Sequence, residues 1–72
     1  MEKNKNAACG AVIERGIVTA KNTTQYDIRS LDRPGIEVWD IEAINPLDDF
    51  DEGDMVFFFA FEDGTGRIVC GA

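Results

Sequence analysis

The stretch Glu52–Phe61, EGDMVFFFAF, constrains this chain more than any other. An acidic turn ending in Gly53 leads into a run in which every residue from Met55 to Phe61 is apolar. Seven apolar residues fall far short of the roughly 20 that a membrane-spanning helix needs. Four phenylalanines without helical spacing make the run a strand, and apolarity at successive positions predicts that both of its faces are covered. In a small protein such a strand lies in a closed barrel or is covered by a partner chain.

The remaining segments read as strands that wrap around this one. Residues 1–7 form a polar lead-in expected to be disordered, and residues 8–72 a single β-barrel domain. From Ala8 to Lys21 the chain reads as one long first strand, in which Gly10 and Gly16 mark bulges or bends. Asn22-Thr23 predicts a hairpin turn. Thr24–Leu31 alternates, with Tyr26, Ile28 and Ser30 on one face and Asp27 and Arg29 on the other. In Asp32-Arg33-Pro34-Gly35, Pro34 presets φ and Gly35 supplies a positive φ, which predicts a type II turn.

Ile36–Ile44 is the third strand. Its apolar phase changes between Val38, which shares a face with Ile36, and Trp39, which shares one with Ile41 and Ala43, so a bulge is expected there. Asn45–Asp54 is the longest connection, with a helical turn predicted at Pro46–Phe50. Met55–Phe61 is the fourth strand, Glu62–Gly66 a tight hairpin loop, and Arg67–Cys70 the fifth strand. The fold class that follows is all-β, a small five-stranded closed barrel that is OB-like, with the SH3-like barrel as alternative.

Length and charge narrow the functional classes. A chain of 72 residues buries only about 60% of its unfolded surface, so association is the simplest addition to its core. The formal net charge is −7, all seven bases lie outside Pro34–Gly66, and ten acids lie within it. Such a surface repels phosphate backbones and anionic membranes, which argues against nucleic acid and membrane as partners. Solubility is the simplest role for the acids.

Cys9 and Cys70 are the two cysteines, and there is no histidine, which excludes a Cys/His zinc site. Met1–Asn6 lacks an apolar stretch, so no leader is expected and the localisation predicted is cytoplasmic. In a reduced compartment both thiols are expected as small core residues; a bridge between the chain ends is the alternative.

The acid-rich loop from Asp48 to Asp54 presents Asp49, Asp51 and Asp54 as cation-ligand candidates. It lacks the spacing and the bidentate Glu of a calcium loop, so solvated charge is the expected state and neither metal nor cofactor is predicted. Gly53-Asp54 reads as a turn device that opens the fourth strand. The pairs Asp40/Glu42 and Glu62/Asp63 have no accompanying nucleophile or pocket, and no enzymatic activity is expected. If Phe57, Phe59 and Phe61 point inward with Met55, then Val56, Phe58 and Ala60 point outward. Phe58 with Trp39 and Tyr26 then forms the predicted contact surface, either a base-stacking platform or a dry protein interface. The absence of bases nearby favours the protein partner.

From Gly16 onward, the opening GIVTAKNTTQYDIRSL, the turn RPG, the strand EGDMVFFFAFEDG and the ending GRIVCGA resemble small OB-type barrels in tail and baseplate proteins of contractile phages and related secretion machines. In that family a glycine-acid pair opens a hydrophobic strand, an acidic glycine turn follows, and a short strand ends in an apolar-glycine pair. Gly53-Asp54, Asp63-Gly64 and Gly71 occupy those places. The resemblance implies a structural assembly component, prophage-encoded and located in a tail-like particle, and carries over no functional residue.

The function expected is therefore a non-enzymatic structural or protein-interaction module that self-associates or binds a protein partner. One alternative is an OB-type binder of single-stranded nucleic acid, which needs Arg15, Lys21, Arg29, Arg33 and Arg67 to gather on one face. Another is an acidic inhibitor or mimic that binds a basic partner.

Overall fold

The computed structural model describes residues 12–72. Its strands are β1 (Glu14–Asn22), β2 (Gln25–Ser30), β3 (Glu37–Ala43), β4 (Met55–Ala60) and β5 (Gly66–Gly71), and no helix occurs among the described residues. They close into a barrel in the order β1-β2-β3-β5-β4. Every pairing is antiparallel except that of β3 with β5. A meander would pair β3 with β4; here β4 returns to β1 instead, the Greek-key order of an OB-like barrel.

β1 begins at Glu14 rather than Ala8; residues 8–11, Gly10 among them, lie outside the described residues. It serves two neighbours at once. Gly16 and Ile17 pair with Ser30 and Arg29 on one side and with Val56 and Met55 on the other. A Cβ at Gly16 would lie 2.7 Å from the Phe58 ring and closer still to Ile28, so glycine is what lets the strands meet there.

The hairpin that follows pairs Asn22 with Gln25, so its loop is Thr23-Thr24, one residue later than predicted. In β2 the expected alternation holds: Tyr26, Ile28 and Ser30 are buried. The type II turn also forms, with Ile36 N donating to Arg33 O at 3.2 Å and Gly35 at φ 82°.

The phase change in β3 is a bulge. Tyr26 opposes Ile41 and Ile28 opposes Val38, so β3 spends one residue more than β2 over this stretch, with Asp40 at φ 59°. Both Val38 and Ile41 therefore face the core, and Trp39 does not share the side of Ile41 but stands outside, 64% exposed. No helical turn forms in the connection to β4. Asn45 Oδ1 accepts from Leu47 N and Asn45 O from Asp48 N, both at 3.0 Å, so Asn45 caps a single tight turn at Pro46-Leu47, and no helical bond continues it. The connection then lays Phe50 into the core.

The orientation of β4 is the reverse of that expected. Val56 and Phe58 are fully buried, whereas Met55 and Phe61 are each 43% exposed and Phe57 and Phe59 are half-buried. Pairing decides this: Phe58 lies across from Glu14 and Ile68, both inward-facing. Neighbours one step along the strand must then point outward. The prediction that both faces are covered holds for the inner row alone. Cys70, expected in the core, is exposed on β5, because a β-irregularity between Phe57 and Phe58 turns it away from the interior; Cys9 lies outside the described residues.

Candidate interaction surface

Tyr26, Trp39 and Phe58 do not form a common surface. Tyr26 is 3% exposed and Phe58 not at all, since the inward rows of β2 and β4 meet in the barrel interior. Trp39 alone lies outside. What replaces the predicted surface is the outer row of β4, Met55, Phe57 and Phe59, continued by Phe61 just past the strand end, with the Phe59 and Phe61 rings edge to face at 5.7 Å.

Register sets what flanks this row. On β1, Ile17 lies opposite Met55 and Arg15 opposite Phe57. On β5, Cys70 lies opposite Phe57 and Arg67 opposite Phe59. The row is thus an apolar strip with an arginine beside each central phenylalanine. Asp32 fixes the first of these: its Oδ1 accepts from Arg15 Nη2 at 2.6 Å and from Nε at 3.1 Å, and its Oδ2 from Arg15 N at 2.7 Å. The side-chain hydrogen bonds from Arg15 hold the Asp32 carboxyl below its usual 3.8, and the carboxylate in turn raises the guanidinium. Arg67 Nη1 donates to Gly66 O at 2.7 Å.

The same end of the barrel carries a buried carboxylate that the sequence hides in AVIER. Glu14 is 6% exposed. Ser30 Oγ donates to its Oε1 at 2.7 Å, Arg33 Nε to the same oxygen at 2.9 Å, and Arg33 Nη2 lies 2.7 Å from Oε2. Arg33 N donates back to Ser30 Oγ at 2.9 Å. With its oxygens engaged by these donors, Glu14 ties β1 to β2 and to the Pro34–Gly35 turn.

At the opposite end, Tyr26 anchors the connection between β3 and β4. Its hydroxyl accepts from Phe50 N at 3.1 Å and approaches Asp49 Oδ1 at 3.4 Å, and the two rings meet edge to face at 5.6 Å. Lys21 Nζ donates to Asp49 Oδ1, which lowers the Asp49 carboxyl from 3.8. A cavity of about 360 Å³ opens here between the β1–β2 hairpin and the connection, lined by Thr23, Tyr26, Glu42, Leu47 and Asp49 among others.

The three cation candidates do not converge. Asp49 is taken by Lys21, Asp51 lies 3.9 Å from the same ammonium, and Asp54 Oδ2 accepts from Asp51 N at 2.9 Å. Among the described residues no group of three or more acids is placed to hold a metal ion. Nor do the five bases gather on one face. Lys21 sits with Asp49 at the hairpin end of β1, whereas Arg33 sits with Glu14 at the other.

β3 presents a second outer feature. Trp39 stands among the exposed acids Glu37, Asp40 and Glu42. Its neighbour Asp40 is held by the bulge, with Asp40 N donating to Asp27 Oδ1 at 3.1 Å. Comparison with protein-family models, with curated proteins and with solved structures finds no match to this chain. The closed five-stranded barrel is established by its own topology, and the resemblance to phage tail modules has no relative behind it.

Proposed function

We propose that this chain is a non-enzymatic structural or protein-interaction module that docks through the outer face of β4. The observation that carries the reading is the row Met55, Phe57, Phe59 and Phe61 on the outside of a barrel whose core is already filled by Val56, Phe58 and their neighbours. Scattered apolar residues on a surface need no explanation, but a contiguous strip along one strand marks an interface. Covering it contributes about 25 cal/mol for each Å² of apolar surface removed from water, a useful addition for a domain this small. The sequence resemblance supplies a setting, a tail- or baseplate-like assembly, and with it a place in such a particle or in the cytoplasm before assembly.

Light scattering on a sizing column, over a dilution series, tests the reading. The wild-type chain is expected above its monomer mass of 8.0 kDa at high concentration. Phe61→Asp, at the exposed end of the row, is expected to shift the mass toward the monomer with its β-sheet circular dichroism intact. Equal masses for the two proteins throughout the series would remove the row as an interface.

A further inference from the structure

Among the described residues that form the core, Phe50 alone belongs to no strand. It comes from the connection between β3 and β4, which bonds to the barrel backbone at its two ends. Ile44 N donates to Ile68 O at 2.9 Å, and Gly53 N to Val18 O at 2.8 Å. Between those ends, the hydrogen bonds that join residues 46–52 to the strands, among the described residues, all run to two side chains. The Tyr26 hydroxyl accepts from Phe50 N and approaches Asp49, and the Lys21 ammonium holds Asp49, with Asp51 at 3.9 Å. We infer that residues 46–52 form a strap that opens as a unit over this end of the barrel, with Phe50 as its plug and Lys21 as its latch, while the five strands stay paired.

Segments with few apolar contacts and few backbone hydrogen bonds open at less cost than the whole fold. Leu47 is 88% exposed, so Phe50 is the one large apolar anchor of the strap. A cavity of about 360 Å³ lies between Pro46–Asp49 and the β1–β2 hairpin, so that half of the strap moves without displacing packed atoms. Asp48, Asp49, Asp51, Glu52 and Asp54 bring five carboxylates and no base to residues 48–54, and Lys21 is the base that meets them among the described residues. The hinges are the turn that Asn45 caps and Gly53, which stands at φ 93°. The Phe50 ring rests edge to face on Tyr26 and against Gly71, where an added Cβ would lie 3.3 Å away. Gly71 is the last residue of β5 and lies across from Val56 of the inner row, so the seat is at the end of the barrel. Tyr26 borders both seat and cavity, and an open strap joins the two into one recess.

Native-state hydrogen exchange on the full chain, followed by two-dimensional NMR at constant pH, provides the test. In the wild type the Phe50 amide is expected to exchange faster than the slowest amides of β2 and β4. Its rate should stay nearly flat in urea below the unfolding transition while theirs climbs steeply, because local opening exposes little surface. Ser30→Ala loosens the Glu14 cluster at the other end of the barrel. It is expected to speed the slowest strand amides about fivefold, as for one lost hydrogen bond, and to leave Phe50 unchanged. Lys21→Gln is expected to speed Phe50 about two- to fivefold, as for one lost ion pair, and Lys21→Arg to match the wild type. If Phe50 exchanges with the urea dependence of the slowest strand amides, or Ser30→Ala speeds it as much as them, the connection opens only with the barrel and the inference falls. The urea profile needs no variant, so it decides the matter even if Ser30→Ala does not fold. A Phe50 rate unchanged in Lys21→Gln would remove Lys21 as the latch.

Discussion

Gly16 is the point at which β1 touches β2 and β4 together, and it leaves no room for a methyl group. The Phe58 ring would lie 2.7 Å from an added Cβ, with Ile28 closer still. Both are fully buried, so neither can swing aside without disturbing the core. Gly16→Ala should therefore lower stability by about 1–3 kcal/mol, the usual range for overpacking, read as a lower urea midpoint. An unchanged midpoint would mean that the strands can separate at this crossing. Glu14, two residues earlier, shows a different constraint. A carboxylate 93% shielded at its side chain is tolerable there because Ser30 and Arg33 supply its hydrogen bonds. Nothing in AVIER distinguishes that glutamate from a surface residue; its partners arrive from 16 and 19 residues away.

At the scale of elements, local chemistry explains what was legible in advance. The Pro34–Gly35 turn, the alternation of β2 and the bulge in β3 all follow from residue types within a few positions of one another. The inward row of β4 does not, because a strand apolar at every position carries no period-2 signal to say which row faces the core. Pairing with Glu14 and Ile68 settles it, and that is information from distant parts of the chain. The same holds for Phe50, which reaches the core from an acidic connection by meeting the Tyr26 ring edge to face. That connection is clasped by Lys21 and Asp49, which gives it a pH dependence. Hydrogen bonding to Lys21 lowers the Asp49 carboxyl in the folded chain, so the unfolded chain binds the proton more readily. Stability from the clasp is complete above the usual carboxylate value of 3.8 and is lost as pH falls below it through the lowered folded value. Asp32, lowered by Arg15, adds to the trend in the same direction. Denaturation midpoints measured between about pH 7 and pH 3 should fall at the acid end for the wild type and fall less for Asp49→Asn. Identical profiles would show that the clasp contributes nothing.

For the whole molecule, closure and polarity are linked through β4. Its inner row completes the core, and its outer row, between Arg15 and Arg67, supplies the apolar wall on a chain of net charge −7. The barrel closes between β3 and β5 through the pairs Glu42–Arg67 and Ala43–Ile68, and the association proposed for it uses the side chains of the outer row rather than the backbone. Everything proposed for this protein depends on which row of β4 faces in. Thermal melts of Phe58→Ala and Phe59→Ala, run side by side, test that directly. The orientation described here predicts that Phe58→Ala costs about 3–5 kcal/mol, as for buried phenylalanines elsewhere, enough to unfold most of so small a domain. Phe59→Ala should retain a cooperative melt within a few degrees of the wild type. The opposite order, a folded Phe58→Ala and an unfolded Phe59→Ala, would contradict the account.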